Sequence, residues 1–157
     1  MTPYEERHGA LSPFVRGLFR TDIDVIACRP ADERSRWQRV LVPVRRPGDV
    51  AHAMLDFALR LAGRTGSVAA CHCIGAEHER RRAESMLADL VETFTGSIET
   101  RVATGRIEAC LAANAAAYDL TIIGASTDRT ATSRFISPPT FERLQDLSCD
   151  VAIVHRG

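Results

Sequence analysis

The chain has 157 residues, of which 45% are hydrophobic and 25% are charged, the balance of one ordinary globular domain. The formal net charge is +0, which argues against nucleic-acid binding, because a phosphate backbone attracts a basic surplus. No apolar run is long enough to span a bilayer, and the charged start "MTPYEERHGA" lacks the apolar region of a secretory signal. We therefore expect a cytoplasmic protein.

From residue 39 onward, short apolar runs alternate with amphipathic segments. The apolar runs predict strands at residues 39–44, 68–74, 98–105, 120–124 and 151–155. The segments between them predict helices at residues 50–62, 77–95, 106–117 and 140–147. This β–α repetition indicates a parallel sheet with right-handed crossovers and helices on both faces.

Residues 1–38 do not fit this alternation, but they contain a partial internal repeat. The stretch "SPFVRGLFRTDIDVIACR" (12–29) aligns with "PPTFERLQDLSCDVAIVHR" (138–156) with a one-residue gap. We interpret it as a helix–strand tail that resembles the end of a second copy, a chance amphipathic match being the alternative. Trp37, which comes just before the first strand of the main domain, is expected to anchor the linker on that domain.

Residues 24–28 are predicted to form a strand beside residues 151–155. Such a strand would cover an exposed sheet edge, or it would exchange with a neighbour and build a dimer. A disordered leader is the remaining alternative. The predicted edge residues are Val25, Ile26, Ala27, Val151, Ala152, Ile153 and Val154.

Six segments in order resemble the universal stress protein family: "RVLVPV", "ALRLA", "VAACHCI", "VATG", "YDLTIIGAS" and "CDVAIV". The resemblance covers residues 39–156. It implies an α/β fold of the flavodoxin- or Rossmann-like sandwich type, with five parallel strands in the order 3-2-1-4-5 and here an extra N-terminal strand. We thus expect a tail at residues 1–38 and a universal-stress-type domain at residues 39–157. That strand order places a ligand crevice between strands one and four.

The candidate crevice combines the ends of those two strands with the loop that follows strand four. Its residues are Pro43, Val44, Arg45, Gly124, Ala125, Ser126, Thr127, Ser133 and Arg134. The resemblance implies an acidic residue after strand one in ATP-binding members, where this chain has Arg45, a cation without an acceptor atom. It also implies a glycine-rich loop, whose second glycine corresponds to Thr127 and whose closing Gly-Ser corresponds to 138–139, both proline here. Because proline lacks the N–H that a phosphate cradle uses, we expect a degenerate nucleotide loop.

These features favour a non-catalytic regulatory or interaction module. The alternative is an ATP- or nucleotide-binding universal stress protein that uses a variant loop, and an enzyme of the wider nucleotide-binding α/β superfamily is a weaker third option. We expect no enzymatic activity, because no nucleophile–base pair is recognisable. We also expect no resident cofactor, ATP being the alternative ligand. No metal site is expected either, since Cys71 and Cys73 share one strand face while His72 points to the other.

The expected partners follow from the edge and from the resemblance. We expect a homodimer through the strand-five edge, unless the N-terminal strand covers that edge. The sequence is also similar to universal-stress domains at the cytosolic end of amino-acid-permease-type transporters, which implies a membrane-transporter partner on the cytosolic side.

Overall fold

The computed structural model describes residues 17–18, 20–29, 36–124 and 147–156, which form a mixed sheet with helices on both faces. The strands are β1 (Val25–Arg29), β2 (Arg39–Pro43), β3 (Ser67–Ile74), β4 (Ile98–Thr104), β5 (Leu120–Gly124) and β6 (Asp150–His155). The helices are α1 (Asp49–Ala62), α2 (Arg80–Glu92) and α3 (Ile107–Asn114), with 3-10 turns at Glu77–Glu79 and Ala115–Ala117. In these described ranges, no helix has the length and apolar character needed to cross a membrane.

The six strands lie in the order β1-β6-β5-β2-β3-β4. Strands β2 to β6 pair in parallel, and counted from β2 their order is 3-2-1-4-5. Strand β1 pairs antiparallel with β6, with Val25 opposite His155 and Arg29 opposite Val151. The coarse prediction of an α/β sandwich is therefore confirmed. The predicted sheet of five parallel strands differs in detail from the sheet in the structure. That sheet has six strands and is mixed, because β1 pairs antiparallel with β6 at the edge.

Two apolar layers hold the helices against the sheet. Because successive side chains of a strand point to opposite faces, β2 contributes Val40 and Val42 to one layer and Leu41 to the other. Helices α1 and α2 cover the first layer, and α3 covers the second. Strands buried on both faces need such continuous apolar runs, and this explains the dense apolar sequence of β2, β3, β5 and β6.

Helix α2 begins later than the periodicity of residues 77–95 predicts. The Glu79 carboxylate accepts hydrogen bonds from the backbone N–H groups of Gly75 and Ala76, both at 2.9 Å. These bonds hold Glu77–Glu79 in a 3-10 turn, so the α-helix starts at Arg80. The helix ends at Glu92, after which the Thr93 hydroxyl donates to the Leu90 carbonyl at 2.8 Å. The predicted helix at 140–147 lies outside the described residues except for Leu147.

Polar side chains tie together the amino ends of three strands. The Trp37 indole N–H donates to the Asp150 carboxylate at 2.7 Å, which confirms that Trp37 anchors the linker. The Asp119 carboxylate accepts from the backbone N–H of Gln38 at 3.1 Å and of Arg39 at 2.8 Å, and from the Arg39 guanidinium at 3.1 Å. Burial raises the pKa of Asp119, but these hydrogen bonds outweigh burial and hold the pKa below its usual value.

Candidate functional site

The carboxyl ends of β2 and β5 lie at the switch point where the strand order predicts a crevice. The two strands are neighbours, with Val40 beside Leu120 and Leu41 beside Thr121. After β2 the chain continues to β3 on one side, whereas β5 pairs with β6 on the other side. A crevice forms at such a switch point, because the connections on either side lead away from each other. Pro43 and Gly124 end the two strands at this point.

The turn that follows β2 is fixed to β3 by two hydrogen bonds. The Val44 N–H donates to the Cys71 carbonyl at 2.7 Å. The Val44 carbonyl lies 2.7 Å from Nδ1 of His72, and since a carbonyl only accepts, His72 carries a proton on Nδ1 here. His72 therefore points away from the face that holds Cys71 and Cys73, as predicted, and it holds the rim of the crevice in place.

The rim itself is cationic. Arg45 and Arg46 are both exposed, and no carboxylate within the described ranges forms an ion pair with either of them. Gly48 follows with φ of 150°, a value that L side chains rarely adopt, and α1 begins directly after it. Asp49 supplies an acidic side chain to the first turn of α1, where a negative charge is favourable.

Gly124 has a packing role at the end of β5. A Cβ atom at this position would lie 2.9 Å from Cγ1 of Val50 and 3.2 Å from Sδ of Met54. Both side chains belong to α1, so the helix approaches the strand closely only because residue 124 has no side chain. Helix packing is therefore a sufficient reason for the glycine at the predicted start of the phosphate loop.

Four of the predicted crevice residues lie at the carboxyl ends of β2 and β5 or just after them: Pro43, Val44, Arg45 and Gly124. The others, Ala125, Ser126, Thr127, Ser133 and Arg134, lie outside the described residues, as do Pro138 and Pro139. Among the residues that are described, no group of three or more histidine, cysteine or acidic side chains is arranged to hold a metal ion.

The predicted edge residues lie side by side. Val25, Ile26 and Ala27 pair with His155, Val154 and Ile153. Val151 to Val154 are all buried, at 5% exposure or less, so β6 is an internal strand of the sheet. Ile26 is 42% exposed on the outer strand, and Ile23 just before it is 61% exposed.

Sequence reasoning missed one grouping, in which a third cysteine joins Cys71 and Cys73. The Cys73 thiol interacts with the thiols of both Cys71 and Cys110, the latter on α3. The Cys71–Cys73 hydrogen bond lowers the pKa of Cys71 and, together with burial, raises that of Cys73. The signal in the sequence was the inward position of Cys110 on an amphipathic helix, but helix periodicity does not say which strand residue it meets.

Comparison with known proteins rests on structure. No family model and no curated protein matches the chain in sequence. A universal stress protein solved in complex with cAMP matches 78% of this chain over 100% of its own length, with a TM-score of 0.57 and 20% identity. The chain has the fold of the universal stress proteins.

Two further structures share this fold. The hypothetical protein MJ0577 matches 78% of the chain over 99% of its own length, with a TM-score of 0.58 and 14% identity. The functionally unknown protein PA1789 from Pseudomonas aeruginosa PAO1 matches 98% of the chain, with a TM-score of 0.61 and 15% identity. The chain spans 59% of the length of PA1789.

Proposed function

We propose that the chain is a universal-stress-type regulatory or interaction module, non-catalytic and without a tightly held nucleotide. The exposed Arg45 at the carboxyl end of β2 carries this proposal. A nucleoside presents hydroxyl and amino donors, and these need an acceptor at the rim of the crevice. A guanidinium offers donors only, so Arg45 does not supply that contact. The packing role of Gly124 gives further support, because it removes one argument for a phosphate loop.

A second candidate function is nucleotide binding through the same crevice. Two observations favour it. One structural neighbour is a universal stress protein in complex with cAMP. The exposed guanidinium groups of Arg45 and Arg46 also suit a phosphate, which accepts paired hydrogen bonds from arginine.

Nucleotide content and binding separate the two functions. We expect the purified, denatured protein to release no stoichiometric nucleotide on chromatography. In equilibrium dialysis, we expect ATP and cAMP each to bind with a Kd weaker than about 1 mM, roughly −4 kcal/mol. Arg64→Asp is the matched control for Arg45→Asp, because Arg64 is an exposed arginine on the turn after α1. Release of stoichiometric nucleotide would establish the second function instead. So would ATP binding that is weakened by Arg45→Asp and unchanged by Arg64→Asp.

The same proposal includes the origin of residues 1–38 and the partners of the protein at the sheet edge and at a membrane transporter. The alignment of residues 12–29 with residues 138–156 supports a tail that resembles the end of a second universal-stress repeat. The fifth strand of the predicted domain is β6. Its pairing with β1 supports the arrangement in which the N-terminal strand covers that edge. For the transporter partner, the support is the sequence resemblance alone.

A further inference from the structure

Strand β1 resembles in sequence the strand that it pairs with. The internal repeat aligns "DVIAC" (24–28) with "DVAIV" (150–154), so that Ala27 corresponds to Ile153. In the sheet, Ala27 also lies directly opposite Ile153. Each end of β1 follows the same rule, because Ile26 corresponds to Ala152 and the residue opposite Ala152 is Cys28, which corresponds to Val154. Strand β6 is therefore paired with a partial copy of itself.

The register of this pairing is the one that two β6 strands would have in a symmetric dimer. About a two-fold axis, contacts are reciprocal, so the residue at the axis faces its own copy. If β6 of a second copy replaced β1 in the same register, Ile153 would face Ile153 and Val151 would face His155. Continued by one residue, the register places Asp150 level with Arg156 at both ends of the pair. The β6 edge is thus complementary to itself in both shape and charge.

The side chains of β1 contribute little to the core, in contrast to those of β6. Val151 to Val154 are at most 5% exposed, whereas Val25 to Cys28 alternate between half-buried and exposed. Within this described range of β1, no side chain belongs to either apolar layer. Strand β1 is held by its backbone pairing with β6 and, at its amino end, by a hydrogen bond of 3.1 Å from Nε2 of His155 to the Thr21 carbonyl. Segments with few buried apolar contacts open at a low cost in free energy.

We propose that β1 is an autoinhibitory strand, which occupies the place of β6 of a second copy and keeps the protein monomeric. Release of β1 opens the edge of β6, and two copies then pair through β6 about a two-fold axis at Ile153. A tethered strand competes at an effective concentration on the order of 1 mM, so the closed monomer predominates at lower protein concentrations. This inference rests on the proposed function as a regulatory module and names the partner of its sheet edge.

Prolines in β1 test whether the strand prevents dimer formation in the full chain. Ile26→Pro with Ala27→Pro removes two successive N–H groups, one of which faces β6 because successive residues of a strand point their N–H groups to opposite edges. Ile26→Val with Ala27→Val is the matched control, since β-branched residues keep a strand. We expect analytical ultracentrifugation to give the proline variant a dimer dissociation constant on the order of a hundredfold below that of the control.

Hydrogen exchange identifies the surface through which the proline variant pairs. In its dimer, we expect the amides of residues 151–154 to be as protected as in the control, while those of Val25 and Cys28 exchange rapidly. Dilution to the monomer should then remove protection from the outer edge of β6. Protected amides at Val25 and Cys28 in the dimer would instead show that β1 is exchanged between copies. A β6 edge that stays unprotected in the dimer would show association through another surface, and either result would overturn the proposal.

A charge reversal tests the register of the dimer. In the proline variant, Arg156→Glu would place a second carboxylate level with Asp150 of the other copy, twice in each dimer. We expect the dissociation constant to rise on the order of tenfold, because exposed charge pairs contribute about 0.2–1 kcal/mol each. Arg64→Glu is the matched control, since Arg64 is an exposed arginine on the turn after α1. Equal dissociation constants for these two variants would contradict the two-fold register.

A second variant keeps the test valid if the prolines prevent folding. Ala27→Asp places a charge opposite the buried Ile153 and so weakens the pairing of β1 without a change in the backbone. Circular dichroism confirms that each variant is folded. Folded variants that stay monomeric up to about 1 mM would overturn the proposal. No nucleotide enters these measurements, so a negative result here is distinguishable from a failure of the proposed function.

Discussion

At the scale of single residues, Asp119 accepts more hydrogen bonds than the sequence suggested. It begins no motif and follows a tyrosine at the start of a buried strand, yet it binds both backbone and side chain of the segment that enters β2. Its own backbone N–H also donates to the Arg39 carbonyl at 2.8 Å. The carboxylate thus sets the alignment of β5 on β2, which in turn places the two strand ends of the crevice.

We expect Asp119→Asn to lower the free energy of unfolding by about 1 kcal/mol at neutral pH, the usual worth of such hydrogen bonds. The folded-state pKa of Asp119 is depressed, so its stabilisation is present above the unfolded-state pKa and is lost as the pH falls through the folded-state value. The difference between wild type and variant should therefore shrink in acid, as measured by urea denaturation across pH.

The matched control is Asp56→Asn. Asp56 forms an exposed ion pair with Arg60 at 2.9 Å on the surface of α1. Such pairs contribute about 0.5 kcal/mol or less. Equal losses in the two variants, or a loss at Asp119 that does not change with pH, would contradict the role assigned to Asp119.

Gly124 gives a second test at this scale. We expect Gly124→Ala to destabilise the protein by about 1–3 kcal/mol, because the new Cβ meets Val50 at 2.9 Å and α1 has to shift. In a Val50→Ala background, which removes the contacting Cγ1 atom, the same substitution should cost less. Chemical denaturation of the four proteins of this double-mutant cycle measures the coupling. Purely additive losses would show that the close approach of α1 is not the reason for the glycine.

The site shows what sequence can and cannot predict about residues. Arg45 and Gly124 were placed in one crevice from the sequence, because the carboxyl ends of adjacent parallel strands meet at one edge of a sheet. Cys110 was not placed beside Cys73, because that contact depends on how α3 is rotated and shifted on the sheet. Periodicity gives the buried side of a helix, but not its position along a strand.

At the scale of elements, β1 is the strand that makes the otherwise parallel sheet mixed, because it pairs antiparallel with β6. The internal repeat predicted a strand at residues 24–28, and the structure has Val25–Arg29. The start of α2 was less predictable, because apolar periodicity does not detect the two hydrogen bonds that Glu79 accepts. The positions of elements were thus predictable from their apolar patterns, whereas the limits of α2 depend on individual polar contacts.

We expect removal of residues 1–35 to promote self-association. This deletion removes β1 and leaves the backbone groups at the edge of β6 unpaired, beside the apolar residues Val151 to Val154. Light scattering after size-exclusion chromatography, over a range of concentrations, measures the mass. Removal of residues 1–16 is the matched control, because it keeps β1. Equal masses for the two truncated proteins would show that β1 does not protect the edge.

At the scale of the whole molecule, strand order was the most predictable property. Six short segments in order implied the arrangement of the parallel strands, and a right-handed β–α alternation leaves few other topologies. The extra strand was predicted from the repeat, but its direction was not, because a sequence match says nothing about how two strands pair. The choice between nucleotide binding and interaction is also less accessible to sequence, since it depends on atoms that converge at one crevice from distant segments.

The pairing of β1 with β6 has a consequence for biosynthesis. A chain leaves the ribosome from its N-terminus, at about 5–20 residues per second. Residues 25–29 are made well before their partners at residues 151–155. The outer strand therefore has no native partner until β6 has been translated. A product that stalls or terminates before β6 cannot complete its sheet.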